Sequence, residues 1–326
     1  METKGRKARA GVIGTGRLGR EHARVYASLD EVGTVRLYDQ DAARAAAIAA
    51  ERGGTPCATI EELLSGCDLV SICTPATHHH AAAAAAFEAG VHVLVEKPIA
   101  SDTAAARDMI ARARSRGCVL QVGHIERFNG AFEAARGLLR HPRFIESHRL
   151  ATFTPRGLDV SVVQDLMIHD IDLILTVLAG DSIAELRASG AGVLTGAPDI
   201  VNARIEFAGG CVANVTASRI SREPLRKIRF FEENRYVSVD LRDRSVEAFE
   251  KAASPLPLVG SVDPERFIHR IGVEVDGTEP LRKEIISFLA AVRGEAAPAV
   301  TAEEGLEALR VAERVLECVT RAWSPR

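Results

Sequence analysis

The chain has 326 residues, which exceeds one typical core and predicts two domains. Its formal net charge of -3 argues against a surface dominated by positive charge that binds nucleic acid. No apolar run reaches the roughly 18 residues that a membrane span needs, and the charged start carries no apolar signal region. The six cysteines are scattered without metal-ligand spacing, which is typical of a reducing compartment. The sequence therefore predicts a cytoplasmic protein with no nucleic-acid, membrane or metal partner.

The first third of the chain alternates short apolar runs with alanine-rich helical stretches. Near-continuous apolar runs are typical of strands covered on both faces of a parallel sheet. The predicted strands are ARAGVIG, TVRLYD, CDLVSICT, VHVLVEK and VLQVG, and the predicted helices are LGREHARVYASL, DAARAAAIAAERG, TIEELLSG, HHHAAAAAAFEAG and SDTAAARDMIARARSRG. This alternation predicts an α/β domain with a doubly wound parallel sheet over residues 1–123.

After residue 123 the predicted strands are longer and alternate apolar with polar residues. Such strands suit an antiparallel sheet with one covered face. They are FIESHRLATF, IAELRASG, NARIEFAGGCVANVTAS with a hairpin at AGG, and RKIRFFEENRYVSVDL. A helix over VVQDLMIHDIDLIL interrupts them, and two helices, PLRKEIISFLAAVRG and TAEEGLEALRVAERVLECVTRA, end the chain. Residues 124–326 are therefore predicted to form an α+β domain with a largely antiparallel open sheet and closing C-terminal helices.

A glycine-rich motif, GTGRLG, lies between the first predicted strand and the first predicted helix. Gly14 would permit a tight turn, Gly16 would let the backbone approach a pyrophosphate, and Gly19 would allow close helix packing. Asp39 ends the next strand, where its carboxylate would accept from both ribose hydroxyls and repel a 2′-phosphate. The motif thus predicts a Rossmann domain that binds NAD rather than NADP. The alternative is a glycine turn followed by a surface aspartate.

Two later strands end in polar residues at the carboxyl edge, where open α/β sheets bind ligands. Thr74 and Pro75 end one strand, and Lys97 of the EKP motif ends the next. The alternative interpretation of Lys97 is a surface charge without a role in binding. The intervening histidines 78–80 are successive helical positions about 100° apart, so they converge poorly on a metal ion. The predicted cofactor-binding residues are Gly14, Gly16, Arg17, Leu18, Gly19, Asp39, Thr74, Pro75, His79, Glu96, Lys97 and Gln121.

The predicted helix over residues 162–175 is mostly apolar but carries ionisable residues. On an α-helix, Asp165, His169 and Asp172 share a wedge of roughly 60°, while Asp170 lies on another side. Unpaired buried charge is costly, so an isolated stripe of this kind would favour an internal hydrogen-bonded network. Together with Lys97 and a nicotinamide site, the stripe instead predicts catalysis. His169 would accept the hydroxyl proton, Lys97 would stabilise the developing alkoxide, Asp165 would orient one of them, and Asp172 would support the arrangement.

The ordered set GTGRLG, TPATHH, EKP and the D-x-x-x-H of Asp165 and His169 resembles the glucose-fructose oxidoreductase/inositol dehydrogenase (Gfo/Idh/MocA) family. The resemblance covers nearly the whole chain and implies NAD(P)-dependent oxidation of a sugar or polyol hydroxyl. It assigns Lys97 to the lysine of EKP and Asp165 and His169 to the motif of the substrate domain. It also implies oligomerisation through the open sheet, so we expect a homodimer or homotetramer. Met167 replaces a glycine common in the family, which argues against a simple inositol or glucose substrate.

VGHIERFN and DLMIHDIDLIL together resemble one branch of that family, the UDP-N-acetylglucosamine 3-dehydrogenases of the lipid A diamino-sugar pathway. The branch implies oxidation of the C3 hydroxyl to a ketone for a partner aminotransferase. The arginine-rich SRISREPLRKIR agrees, because paired phosphates favour fork-shaped guanidinium donors, although a solvated strand edge is its alternative. Oxidation of another nucleotide sugar, a free sugar or inositol stays open, as does a non-catalytic dinucleotide-binding sensor. The predicted substrate residues are Lys97, His124, Arg127, Asp165, His169, Arg222 and Arg226, and the basic cluster also holds Arg219, Lys227 and Arg229.

Overall fold

The computed structural model describes residues 6–154, 160–252 and 267–322. The chain forms two compact units. The first unit consists of Met1–Ile125 and Glu279–Arg310, and the second consists of Glu126–Thr278 and Val311–Arg326. Each unit therefore combines segments that are distant in sequence. The division into domains at residue 123 stays a prediction.

The first unit is built on a parallel sheet. Its strands are β1 (Ala8–Ile13), β2 (Val32–Tyr38), β3 (Thr55–Pro56), β4 (Leu69–Ile72), β5 (His92–Glu96) and β6 (Leu120–Gly123). Their order is β3-β2-β1-β4-β5-β6, and every neighbouring pair is parallel. This is the strand order of the doubly wound dinucleotide-binding fold, in which ligands bind outside the carboxyl ends of the strands.

Helices follow the strands of this sheet as the sequence predicts. They are α1 (Arg17–Ala27), α2 (Ala42–Arg52), α3 (Ile60–Ser65), α4 (Ala76–Glu88) and α5 (Thr103–Ser115). The side chains of Asp41, Thr59 and Asp102 accept backbone N–H bonds at the starts of α2, α3 and α5. Helix α1 starts after Gly16 without a side-chain cap, so its first N–H groups are left for another acceptor.

The second unit is built on a larger, mostly antiparallel sheet. Its strands are β7 (Phe144–Leu150), β8 (Ile183–Ala191), β9 (Ile200–Phe207), β10 (Val212–Ser218), β11 (Leu225–Phe231), β12 (Arg235–Asp240), β13 (Ser245–Lys251) and β14 (Ile268–Ile271). Within the described residues their order is β14-β13-β12-β11-β7-β10-β9-β8. The pair of β7 and β10 is parallel, and the other pairs are antiparallel. The predicted fold class is confirmed for both sheets.

The remaining helices are α6 (Gly130–Leu138), α7 (Ile168–Val177), α8 (Pro280–Val292) and α9 (Ala302–Ala322). Helix α7 packs on β7 and β10, whose side chains alternate between buried and half-buried. Helix α8 belongs to the first unit, where Ile285 and Phe288 join Val12, Tyr26 and Leu37 in one apolar cluster. Across the ranges given above, no helix is both long and apolar enough to cross a membrane.

Three features differ from the sequence prediction. The segment RKIRFFEENRYVSVDL forms two antiparallel strands, β11 and β12, rather than one strand. Helix α6 and strands β3, β13 and β14 were not predicted from the sequence pattern. The predicted helix at residue 162 begins with a π-helical turn, Val163–Met167, before α7. A π turn holds more residues than an α turn, so the α-helical wedge of Asp165 does not apply there.

Candidate active site

The glycine motif forms a tight connection between β1 and α1. Gly14 has a φ of 88°, and a Cβ there would lie 2.9 Å from the backbone nitrogen of Thr74. A Cβ on Gly19 would lie 1.8 Å from the carbonyl oxygen of Gly14, so the helix packs directly on the turn. A Cβ on Gly16 would meet no atom within 4 Å. The motif thus leaves open space at the uncapped start of α1, where a pyrophosphate fits.

Asp39 follows β2 and is fixed by protein donors. Its Oδ2 accepts from the backbone nitrogen of Thr15 at 2.8 Å and from the Thr15 hydroxyl at 3.1 Å. Its Oδ1 accepts from the backbone nitrogen of Asp41 at 2.9 Å, and Arg44 Nη1 lies 3.4 Å from the carboxylate. Burial opposes ionisation, but the bonds from Asp41 and Thr15 outweigh it, so the pKa of Asp39 lies below its usual range. A fixed negative charge therefore follows β2, and the contacts of Thr15 and Arg44 were not foreseen.

Among the residues that the structure describes, the buried oxygen atoms of the first unit without a hydrogen-bond partner include Thr74 Oγ1 and Gln121 Oε1, besides both carboxyl oxygens of Glu284. Thr74 and Gln121 concern the cofactor site. The amide nitrogen of Gln121 donates to the carbonyl oxygen of Glu284 at 3.3 Å, which fixes the side chain. Buried polar atoms almost always have a partner, so a bound polar molecule would satisfy these two. Both residues were predicted to contact the cofactor, and both fit that role.

The three consecutive histidines point to different partners. His78 Nδ1 contacts the Thr77 hydroxyl at 3.1 Å, and His80 Nε2 contacts Asp108 at 2.6 Å. His79 is 1% exposed. Its Nδ1 lies 2.9 Å from the carbonyl oxygen of Pro98, and its Nε2 lies 2.9 Å from the carbonyl oxygen of Thr74. Burial lowers the pKa of His79. His79 therefore links two loops beneath the surface, although it was predicted to contact the cofactor itself.

The EKP motif ends β5 and includes a cis peptide bond between Lys97 and Pro98. Glu96 is 7% exposed, and its Oε1 lies 3.0 Å from Nε2 of His22. Its Oε2 accepts from the backbone nitrogen of Lys97 at 3.3 Å. Burial opposes ionisation of Glu96, but the contact with His22 and the charge of Lys97 outweigh it, so its pKa lies below the usual range. An ionised carboxylate thus lies beside Lys97, and its partner His22 was not predicted.

The ionisable residues of the VVQDLMIHDIDLIL segment divide into two groups. Asp165 and His169 are half-buried. Asp170 and Asp172 are each 1% exposed. Asp172 is therefore more deeply buried than Asp165 and His169, although His169 and Asp172 are three residues apart in α7 and lie on neighbouring sides of it, as the wedge predicts. The departure from the predicted wedge concerns Asp165, which lies on the π turn. Pi-helical turns like the one that carries Asp165 are frequent at functional sites.

Arginines from neighbouring elements neutralise the two buried aspartates. Arg149 on β7 donates to Asp170 at 2.7 and 3.2 Å and to Glu126 at 2.9 Å. Arg127 donates to both carboxylate oxygens of Asp172 at 2.8 and 2.6 Å. Glu126 and Arg127 are adjacent in a short 3-10 turn, Ile125–Phe128. This turn thus contacts α7 directly through the pair of Arg127 and Asp172, and indirectly through Arg149, which bonds to both Glu126 and Asp170. Arg127, a predicted substrate residue, is therefore already paired.

The arginine-rich segment is distributed over both faces of the sheet. Arg226 lies opposite Arg149 in the register of β11 and β7, so it is on the face that α7 covers. Its Nη1 lies 3.9 Å from Glu126 Oε1. Arg229 lies opposite Glu146 on the other face and donates to it at 2.9 Å.

Other members of the segment lie outside the strand or on its far face. Arg222 precedes β11 and is exposed, and Arg219 donates to the carbonyl oxygen of Val160 at 2.6 Å. Lys227 pairs with His148 on the same face as Arg229. His124, also a predicted substrate residue, is 1% exposed at the end of β6. The basic segment is therefore not a single cluster, and Arg226 is the member placed on the face of α7.

Two family models match the chain. Residues 8–124 match an oxidoreductase family with an NAD-binding Rossmann fold, and residues 122–236 match the GFO/IDH/MocA C-terminal domain. The chain belongs to the GFO/IDH/MocA oxidoreductase family. The predicted family resemblance is confirmed, and the protein is an oxidoreductase whose Rossmann fold binds NAD(P).

Known proteins match the chain over different shares of its length. A UDP-N-acetylglucosamine 3-dehydrogenase of Acidithiobacillus ferrooxidans is 40% identical over 87% of this chain and 88% of that protein. A solved structure of UDP-N-acetylglucosamine 3-dehydrogenase from that organism has a TM-score of 0.88 at 36% identity, covering 97% of this chain and 98% of the other. An inositol 2-dehydrogenase of Cereibacter sphaeroides is 30% identical over 51% of this chain and 52% of that protein. A Listeria innocua NAD-binding protein, with a TM-score of 0.83 at 19% identity, shares the fold.

Proposed function

We propose that this protein is an NAD-dependent dehydrogenase that oxidises the C3 hydroxyl of UDP-N-acetylglucosamine to the 3-keto sugar. The observation that carries the proposal is the 40% identity, over 87% of the chain, to a UDP-N-acetylglucosamine 3-dehydrogenase. The inositol 2-dehydrogenase matches only about half of the chain, which favours the nucleotide sugar over inositol. The product ketone would suit a partner aminotransferase, as in the lipid A diamino-sugar pathway.

The catalytic groups of the proposal are Lys97, Asp165 and His169. When bound, NAD supplies the oxidising power by accepting a hydride from the carbinol carbon. His169 accepts the hydroxyl proton, for which an imidazole that titrates near neutrality is suited. Lys97 stabilises the negative charge that develops on the same oxygen. Asp165 precedes His169 by four residues and orients the imidazole or the lysine.

The proposed preference for NAD depends on Asp39. Its pKa is lowered, so the carboxylate is charged at neutral pH, and its protein donors hold it in place after β2. A 2′-phosphate beside this carboxylate would bring two negative charges together. Arg44 lies 3.4 Å from Asp39 and partly offsets that charge, so removing Asp39 would leave a cation for the phosphate.

The first experiment is NADH formation with a panel of UDP-sugars, free hexoses and inositols. We expect UDP-N-acetylglucosamine to give the highest kcat/KM. A higher value for inositol or a free hexose would replace the proposed substrate by another of the same family. Binding of NAD without turnover of any panel member, at all pH values tested, would favour a dinucleotide-binding sensor instead.

The second experiment tests the catalytic residues. Lys97→Met and His169→Ala should each lower kcat by about 10²- to 10⁴-fold, the usual contribution of acid–base help, while NAD still binds. Asp165→Asn keeps the shape of the side chain and should shift the pH profile of kcat. Thermal melts and active-site-normalised rates separate chemistry from folding. A well-folded His169→Ala protein with normal kcat across pH would contradict the catalytic role.

The arginine-rich segment offers a test for the diphosphate with an internal control. Arg222 and Arg226 are proposed to bind the paired phosphates, because guanidinium groups match phosphate oxygens in fork geometry. Arg222→Ala and Arg226→Ala should raise KM for the UDP-sugar more than KM for any free sugar that reacts. Arg229→Ala is the matched control, because Arg229 lies on the other sheet face and pairs with Glu146. Equal effects on KM for both kinds of substrate would indicate that the arginine-rich segment is a solvated strand edge.

We propose a homodimer or homotetramer formed through the sheet face opposite α7. Four half-buried aromatic rings cross neighbouring strands there, with centroid distances of 5.8 Å for Phe144–Phe231, 5.1 Å for Phe231–Tyr236 and 6.3 Å for Tyr236–Phe249. A cavity of about 950 Å³ lies beside Phe231, Tyr236, Phe249 and Ile268. Light scattering should give a multiple of the chain mass, and Tyr236→Lys should reduce it. A monomeric wild type would contradict this proposal.

A further inference from the structure

Two buried histidines contact the residues on either side of Lys97. His22 on α1 lies 3.0 Å from Glu96 through its Nε2, and His79 on α4 lies 2.9 Å from the carbonyl oxygen of Pro98 through its Nδ1. His22 is 0% exposed and His79 is 1% exposed. Lys97 thus lies in a tripeptide that is held at both ends from beneath the surface of the first unit.

The contacts of His22 define the direction of its hydrogen bonds. Its Nδ1 lies 3.0 Å from the hydroxyl of Ser71, which in turn lies 2.9 Å from the hydroxyl of Tyr26. Because the carboxylate of Glu96 accepts, Nε2–H of His22 donates to it; with Nδ1 unprotonated, Ser71 donates to Nδ1 and Tyr26 donates to Ser71. The chain of bonds ends at Tyr26, which is 0% exposed. The link that reaches the EKP tripeptide is therefore the bond from Nε2 of His22 to Glu96.

His79 connects the EKP tripeptide to the loop after β4. Its Nε2 lies 2.9 Å from the carbonyl oxygen of Thr74, opposite the Nδ1 contact with Pro98. Burial lowers the pKa of His79, and a neutral ring carries one N–H, which donates to only one of the two carbonyl oxygens at a time. This N–H is assigned to Nδ1 and the carbonyl oxygen of Pro98, while Nε2 lies against the loop that holds Thr74, a predicted cofactor residue.

We propose that His22 and His79 are positioning residues for Lys97. Their burial keeps both imidazoles away from substrate, so they act through the backbone and side chains next to Lys97. The proposal rests on the proposed role of Lys97 in oxidation of the hydroxyl. Displacement of a reacting group by about 1 Å can lower the rate about 10²-fold. Loss of the contact of His22 with Glu96, or of His79 with Pro98, should therefore lower mainly kcat.

Paired amide substitutions test the proposal, because each amide reproduces one ring nitrogen. The amide of Gln reaches the position of Nε2 in His, and the amide of Asn reaches the position of Nδ1. His22→Gln therefore keeps the contact with Glu96, whereas His22→Asn keeps the contact with Ser71. His79→Asn keeps the contact with Pro98, whereas His79→Gln keeps the contact with Thr74.

The two members of each pair should differ in kcat per folded active site. His22→Gln and His79→Asn should keep kcat close to wild type, whereas His22→Asn and His79→Gln should lose about 10- to 100-fold. The Kd for NAD, measured by fluorescence titration, should be similar within each pair, and thermal melts give the folded fraction to which each rate is normalised. Ser71→Ala is a control that removes the second partner of His22, and it should lower Tm while kcat stays normal.

Equal kcat values within both pairs, whether high or low, would overturn the positioning role. Should a His22 variant fail to fold, Glu96→Gln tests the same contact from the other side and should lower kcat by a similar factor. Lys97→Met separates this inference from the proposed function. Normal kcat in Lys97→Met would refute the role of Lys97 itself, whereas low kcat there without a split in the histidine pairs would refute the positioning role alone.

Discussion

Replacing Arg149 by methionine tests whether the buried ion pairs of α7 serve the fold or the reaction. The side chain of Arg149 is 3% exposed and bonds to Asp170, which is 1% exposed, and to Glu126, which is 10% exposed. Burial opposes the charge of the guanidinium, but the two carboxylates raise its pKa further than burial lowers it. Methionine keeps much of the volume and removes the charge, so two buried carboxylates lose their counterion.

The expected loss of stability is large. Removing one partner of a buried ion pair costs about 3–5 kcal/mol, and two orphaned carboxylates place this case in the upper half of that range. Each kcal/mol shifts Tm by about 2–4 °C in a domain of 150–250 residues. Arg149→Met should therefore lower the Tm of the second unit by about 8–20 °C. Because Asp165 and His169 lie outside this cluster, kcat per folded active site should stay close to wild type.

The assay is thermal unfolding followed by circular dichroism, with active-site-normalised rates measured well below the transition. The control replaces the whole cluster by apolar residues, Arg149→Met with Asp170→Leu and Glu126→Leu, and should recover most of the lost Tm. His169→Ala should show the opposite pattern, with normal Tm and low kcat. An Arg149→Met protein that melts near the wild-type temperature, or that folds fully but turns over poorly, would refute the reasoning.

Three further predictions concern Asp39, Glu284 and Asp172. Asp39→Ser with Gln40→Arg should move the ratio of kcat/KM values toward NADP, and equal use of both cofactors by wild type would contradict the role of Asp39. Burial and the charge of Glu96 raise the pKa of Glu284 above its ordinary 4.5, so the unfolded chain releases this proton first and stability falls as pH rises above about 4.5. The Tm of Glu284→Gln should therefore fall less than the wild-type Tm as pH rises from about 5 to about 8. Asp172→Asn should weaken the pair with Arg127 and lower the free energy of unfolding by about 3 kcal/mol in urea titrations, with kcat unchanged.

The first unit was largely predictable because its chemistry is local in sequence. The glycine motif, the apolar strands and the helix starts each depend on a few adjacent residues, so their pattern is visible in the sequence. The partner of Glu96 was not predictable, because His22 is 74 positions away and lies on another helix. The same holds for Arg149, which is 21 positions from Asp170 and reads as one polar residue of an alternating strand.

The strand alternation of LRKIRFF in the second unit predicts which face each basic residue lies on. In a strand, neighbouring side chains point to opposite faces, so the alternation in LRKIRFF already separates Arg226 from Lys227 and Arg229. The buried Ile228 and Phe230 place Arg226 on the covered face. Composition alone treats the segment as one cluster, whereas strand period divides it into a residue on the face of α7 and residues on the opposite face.

The ionisable residues of the apolar helix occur there for two different reasons, which the sequence alone does not distinguish. Charge that is fully buried survives only with a counterion, and Asp170 and Asp172 have Arg149 and Arg127. These pairs tie α7 to β7 and to the Ile125–Phe128 turn, so their loss is expected in stability. Asp165 and His169 are only half-buried, so their polar atoms can meet a substrate. The buried pairs thus account for the stability of α7, and the half-buried residues are the ones proposed for proton transfer.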